Sequence, residues 1–289
     1  MINRRQFLMS AGITATGAII GADVMANAHD KKTIGLQLYS LREEIPTAGI
    51  EAVLKKMAAA GYNSVEFYGF NTKDAFFKKN AKEIAGILKA NKMISPSGHY
   101  DLKLFEKDGQ QTIDAALAVG NKYVVIPYLT ADLRKSLDDY KVIAEKLNKI
   151  ALLCKQNNIK MAYHNHGFEF TKFEGGVCGY DIFLKEADKA LVNFELDLYW
   201  VVTAGLNPVD LFEKNPGRFK MWHVKDKDKT NPKLQTEVGS GSIDFKPIFA
   251  KAKLSGMEYF YVEQENFAMP SDESIRKSIG FIKQNLLKK

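Results

Sequence analysis

From about residue 33 onward the chain switches eight times between a short β-like run and a longer segment with apolar residues at helical spacing. The runs span 33–39, 62–67, 94–99, 123–127, 160–166, 191–198, 219–224 and 258–263. The helical segments span 49–60, 74–91, 107–120, 137–157, 180–189, 208–215, 245–255 and 271–287. Strand, helix, strand is the signature of a parallel crossover, so the repetition leaves an open doubly wound sheet or a closed barrel. The dinucleotide-binding form of the open sheet needs a glycine-rich turn after its first strand, and residues 37–42 contain no glycine. With 289 residues and no long linker, the pattern predicts one α/β domain, a (β/α)8 TIM barrel. Gly61, Gly120, Asn157-Asn158 and Gly256 fall where helices must end before the next strand.

The N-terminus has its own grammar. Arg4-Arg5, an apolar stretch over 9–20 and a small-x-small Ala26-Asn27-Ala28 read as a twin-arginine export signal. The expectation is a leader at 1–28, a mature barrel at 29–289, a periplasmic location and no stable membrane insertion after cleavage, because the apolar stretch is too short to span. The +7 charge comes from Lys and Arg interspersed with 34 acidic residues, without a basic stripe, so no nucleic-acid partner is expected. Cys154 and Cys178 lack metal-site spacing. A homo-oligomer is compatible with the sequence.

Barrel active sites sit at the C-terminal strand ends, so those ends carry the functional content. The first run brings Gln37, the second Glu66 and the third His99, whereas the fourth offers only Tyr128, read as structural. The fifth gives His164 and His166 on one face, followed by Glu169 one short turn later. In the sixth, Asn193, Glu195 and Asp197 alternate with Phe194, Leu196 and Leu198, which puts the polar set inside the barrel; Trp200 follows. The seventh turns His223 and Lys225 to one face, and the eighth brings Glu263.

His164, Asp197, His223 and Glu263 thus stand at the ends of four successive strands. Two imidazoles and two carboxylates suit one divalent metal ion, Mn²⁺, Mg²⁺, Co²⁺ or Zn²⁺, with positions open to substrate oxygens. The spacing alone leaves open whether His164 or His166 is the fifth-strand ligand. Glu66, His99, Glu169, Trp200, Lys225 and Gln37 are candidates for substrate binding. Lys225 is equally suited to an anionic group or to neutralising Glu195, and Gly239-Ser240-Gly241 to a phosphate cradle or a plain turn.

With these residues placed, the chain resembles the xylose isomerase-like TIM barrels grouped as sugar phosphate isomerases/epimerases. The resemblance rests on residues 35–42, 163–170, 194–200, 223–226, 238–244 and 262–264. It implies a carbohydrate substrate, and in ketose 3-epimerases of the family one divalent metal is held by Glu, Asp, His and Glu from the fifth to eighth strands. Asp197, His223 and Glu263 correspond by position; His164 stands where those epimerases have a glutamate. In that respect the chain is similar to inosose dehydratases of the same superfamily.

The chemistry so implied is proton abstraction next to a carbonyl, with Glu263 as general base and His166 as the second proton-transfer group. Isomerase or epimerase action on a sugar or keto-sugar is the first expectation. A lyase or dehydratase acting on a 3-keto-glycoside or inosose is the second, and a non-catalytic periplasmic carbohydrate-binding barrel the third. A DNA-repair endonuclease of the three-metal barrel type needs more histidines than this chain has, five in all.

Overall fold

The computed structural model describes residues 33–287, so the expected leader lies outside the described residues. Eight parallel strands form the barrel: β1 (Gly35–Gln37), β2 (Ser64–Glu66), β3 (Ser97–His99), β4 (Tyr123–Ile126), β5 (Lys160–His164), β6 (Val192–Asp197), β7 (Phe219–Val224) and β8 (Tyr259–Val262). Their order is β2-β1-β8-β7-β6-β5-β4-β3. The ring closes between β2 and β3 through parallel bridges at Ser64/Ile94 and Phe67/Gly98. There the His99 amide donates to the Phe67 carbonyl at 2.7 Å. This is the expected (β/α)8 barrel.

Alternation along each strand divides the core in two. Val124, Ile126, Met161, Tyr163, Phe194, Leu196, Trp222, Val224, Phe260 and Val262 point outward into the layer shared with the helices. Tyr123, Val125, Ala162, Met221, Tyr259 and Tyr261 fill the barrel itself. Each fully buried aliphatic or aromatic side chain contributes roughly 1.5–3 kcal/mol. The inside set gives way to polar residues toward the C-terminal ends, because the same alternation continues into His164, Glu195, Asp197, His223 and Glu263. Gly35 permits a close approach there: a Cβ on it would lie 2.3 Å from the Tyr261 ring and 2.9 Å from the Phe260 carbonyl.

Two helical expectations shift. The helix expected over 74–91 covers only Ala81–Ala90. Ala75, Phe77 and Lys78 all take positive φ, and the helix starts where Asn80 and Glu83 cap each other's amides. The helix expected over 107–120 starts earlier, at Leu102, capped by Asp101 and broken at Asp108 (φ −159°, ψ 87°). The sequence reading missed a helix at Leu198–Thr203 and a hairpin pairing Asp226–Lys227 with Gln235–Thr236. Among the described residues no helix is long and apolar enough to cross a membrane.

Candidate active site

The strand register brings the inward polar residues into two tiers. In β1 and β2, Gln37 sits beside Glu66, and in β6 and β7, Asp197 sits beside His223. The lower tier is a buried hydrogen-bonded hub. Glu66 accepts from Gln37 Nε2 at 2.8 Å and from Ser97 Oγ, and its Oε2 lies 2.7 Å from His223 Nε2. Glu195 Oε2 lies 2.8 Å from His99 Nε2, 3.2 Å from His164 Nδ1 and 3.2 Å from His223 Nε2. The His99 ring stacks on that of His223 at 5.3 Å.

The upper tier faces a cavity of about 450 Å³. His223 Nδ1 lies 2.8 Å from Glu263 Oε2, and His164 Nε2 lies 4.0 Å from Asp197 Oδ2. The Lys225 ammonium is 3.2 Å from Asp197, 2.8 Å from Glu263 and 2.8 Å from Glu265. Lys225 therefore neutralises these three carboxylates and not Glu195, which the imidazoles serve. Glu263, His164, His166 and His99 line the cavity, whereas Glu66, Glu195 and Gln37 lie below it.

Burial and charge set the protonation of the metal-free site. Burial opposes a charge on His223, but Glu195 and Glu263 outweigh it and hold the ring protonated far above the usual imidazole range. Burial likewise opposes a charge on His99, yet Glu66 and Glu195 raise it to about 9. His164 goes the other way, down to about 3, through burial and then the neighbouring His223. His166 falls to about 2 through burial, His164 and Lys225. Against the burial penalty, Lys225 and His223 keep Glu263 ionised well below the ordinary carboxylate range. Asp197 is pushed up, burial outweighing Lys225.

Four buried polar atoms of this cluster are poorly satisfied: His166 Nδ1 and Glu195 Oε1 have no hydrogen-bond partner, and His164 Nδ1 and Asp197 Oδ2 have only ion-pair neighbours, the nearest being Glu195 and Lys225, each at 3.2 Å. Such atoms are costly unless something satisfies them. Donor atoms fall into two compact groups that share His223, one of His99, His164, Glu195 and His223, the other of Asp197, His223 and Glu263, each within 4.8 Å. The second group borders the cavity through Glu263, and His164 stands next to it. A cation there would meet neutral His164, ionised Glu263 and the Asp197 oxygen that faces Lys225, so the donor chemistry fits a divalent metal.

Several other residues end up in unexpected places. Glu169 does not reach the cavity: its carboxylate is buried, accepting from Tyr163 OH at 2.6 Å and from the His166 amide at 2.8 Å. It braces the histidine strand end. Tyr128, read as structural, lines the cavity and meets the His166 ring edge-on at 5.3 Å. Trp200 packs its ring 6.0 Å from His166. It stands against Gly167, where a Cβ would come within 2.9 Å of the indole. The Gly239-Ser240-Gly241 turn is not free to cradle a phosphate, because the Asp226 carboxylate takes the amides of Gly239, Gly241 and Ile243. Tyr39, Tyr68, Phe70 and Glu265 also line the cavity and were not singled out from the sequence. Only their places just past strand ends could have marked them. Cys154 and Cys178 are both free and buried.

A family model described as a xylose isomerase-like TIM barrel matches residues 54–285. An inosose dehydratase from Clostridium botulinum is 26% identical over 291 residues, covering 86% of this chain and 95% of that protein. The crystal structure of a sugar phosphate isomerase/epimerase from Parabacteroides distasonis superposes with a TM-score of 0.79 at 27% identity, covering 93% of this chain and 99% of the other. The structure of an IolI protein with a bound zinc atom superposes with a TM-score of 0.70 at 15% identity, covering 87% and 97%. At that identity the likeness extends to the fold.

Proposed function

The chain belongs to the xylose isomerase-like TIM barrel family, and from that premise we propose that it is a metal-dependent lyase or dehydratase acting on an inosose or 3-keto-glycoside. The observation that carries this reading is the pairing of one ionised carboxylate, Glu263, with two neutral imidazoles, His164 and His166, around one cavity. An epimerisation by the family's two-carboxylate route would use a fifth-strand glutamate opposite Glu263, and in this chain His164 stands in that place. The inosose dehydratase relatives support the same course. Isomerisation or epimerisation, the first expectation from the sequence, is the second reading, supported by the Parabacteroides neighbour.

We assign the metal to His164, Asp197, His223 and Glu263. A divalent ion held there would supply Lewis acidity beside the substrate carbonyl. Occupancy requires His223 to release the proton that it shares with Glu263, so metal uptake is coupled to pH. Glu263, ionised and facing the cavity, takes the proton from the carbon next to the carbonyl. The proton taken by Glu263 is returned to the leaving oxygen as the C–O bond breaks, so the group departs as water or an alcohol, and the imidazole of His166, neutral at pH 7 and lining the cavity, hydrogen-bonds that oxygen. Trp200 and Tyr128 flank that ring and limit where it can point.

The test is to incubate metal-loaded protein in D2O with a panel of inososes, 3-keto-glycosides and ketoses, followed by NMR. Deuterium next to the carbonyl together with an unsaturated product is the expected result. Deuterium with an inverted or isomerised sugar would favour the second reading, and a panel without exchange despite bound metal would sink both.

A further inference from the structure

The cavity walls carry aromatic surface that the chemistry at its floor does not use. Tyr39 and Tyr68 follow β1 and β2, whereas Tyr128 follows β4, so they face the cavity from separate arcs of the ring. Tyr39 is 37% exposed and Tyr128 47%, high for aromatic side chains held in fixed positions. Each is braced. Tyr39 meets Tyr68 edge-on at 5.0 Å and carries the Arg42 guanidinium 4.5 Å from its ring centre. Arg42 is pinned by the carbonyls of Tyr39 and Glu265. Tyr128 meets Phe168 edge-on at 5.4 Å, and Arg134 stacks 3.7 Å over Phe168 while donating to the Leu129 carbonyl.

The charge of the walls is as informative as their rings. Asp101, Glu263 and Glu265 line the cavity, and among the described residues no lysine or arginine does. A phosphorylated ligand would meet three carboxylates against one cationic lining side chain, the His99 imidazolium. A pyranose in contact with His166 reaches Tyr128, whose ring lies 5.3 Å from that imidazole, whereas Tyr39 and Tyr68 line a separate arc past β1 and β2. The volume, about 450 Å³, lies within the roughly 300–1,000 Å³ of pockets that enclose drug-sized ligands.

We infer that the cavity takes an uncharged two-ring glycoside, with the reacting sugar on the polar floor and a second ring with an apolar face, aryl or pyranose, held between Tyr39 and Tyr128. The inference rests on the carbohydrate reading above and names its substrate class. Preorganised tyrosines give contact area at small entropic cost, and ring stacking adds to the burial.

Calorimetric titration of the metal-loaded protein with glucose, the p-nitrophenyl α- and β-glucosides, cellobiose and glucose 6-phosphate tests it. At least one two-ring ligand is expected to bind about tenfold more tightly than glucose, and glucose 6-phosphate no more tightly. Tyr39→Ala and Tyr128→Ala are each expected to erase that gain, Tyr39→Phe and Tyr128→Phe to keep it, with thermal melts confirming that all four variants fold. Whether the aryl glucosides or cellobiose show the gain identifies the second ring. Equal binding of one-ring and two-ring ligands, tighter binding of the phosphate, or a gain that survives both alanine variants would overturn the inference. Deuterium exchange on 3-keto forms of the same glycosides separates it from the proposed reaction: tight binding without exchange sinks the reaction and supports the clamp.

Discussion

Lys225 is the residue whose removal should say most. Its ammonium is buried among Asp197, Glu263 and Glu265, and without it two buried carboxylates lose their cation. Breaking a buried ion pair from one side costs roughly 3–5 kcal/mol, so metal-free Lys225→Met should unfold at markedly lower urea. Added divalent metal should restore more stability to the variant than to the wild type, because it supplies the missing charge. Equal sensitivity of the two to metal would remove Asp197 and Glu263 from the ligand set. His223→Ala should lose bound metal on dialysis and lower kcat/KM by at least about a hundredfold. The meeting of His164, Asp197, His223 and Glu263 was legible because strand alternation and strand-end position fix which side chains converge in a barrel mouth. Glu195 was legible as inward-facing but not as the partner of three imidazoles, since its tier depends on register. Tyr128 was named at its strand end but read as structural, and Tyr39 was not assigned to the site, because strand alternation does not say which residues past a strand end stay exposed to the cavity.

At the scale of elements, the eight strands were readable because parallel strands buried on both faces are near-continuous apolar runs, separated by helical spacing. The segment before Asn80 was misread for a local reason: residues 75–78 look helical by composition, yet three of them adopt positive φ, and only the Asn80/Glu83 capping pair marks the true start. The turn after β7 shows how one side chain can organise a loop. Asp226 accepts from the amides of Lys227, Gly239, Gly241 and Ile243. A Cβ on Gly241 would lie 2.3 Å from that carboxylate, so the approach requires glycine. Asp226→Ala leaves these amides without an acceptor, at a cost of about 1–3 kcal/mol. Faster hydrogen exchange at Gly239, Gly241 and Ile243, with barrel-strand amides unchanged, is the expected signature.

For the whole molecule, the buried charges predict how metal-free stability follows pH. His99 is raised to about 9 from an ordinary 6.5, so its contribution is complete below 6.5 and lost as pH climbs through 9. Glu169, lifted by burial from 4.5 to about 7, keeps a proton that the unfolded chain has released, which also costs stability as pH rises across that interval. Glu195 and Glu263, held ionised by their imidazole and lysine neighbours, act oppositely and lose stability in acid. His164 and His166, held neutral down to about 3 and about 2, also lose stability for the fold as pH drops below 6.5 and together outweigh Glu169, so the melting temperature should peak at about pH 6.5 and fall toward pH 9. His99→Gln should flatten the decline above 6.5, and a profile rising through that range would contradict these assignments. We further propose that residues 1–28 direct export. Terminal sequencing of the protein from a periplasmic fraction should begin at His29, and an intact Met1 there would refute cleavage. The pairing of β1 with β8 has a kinetic corollary. Gly35 and Leu36 meet Tyr261 and Val262, so the ring closes only when opposite ends of the barrel sequence find each other. Contacts of such separation form slowly. Glu263 follows the closing strand directly, so a refolding chain should gain helical signal first and affinity for its cation last.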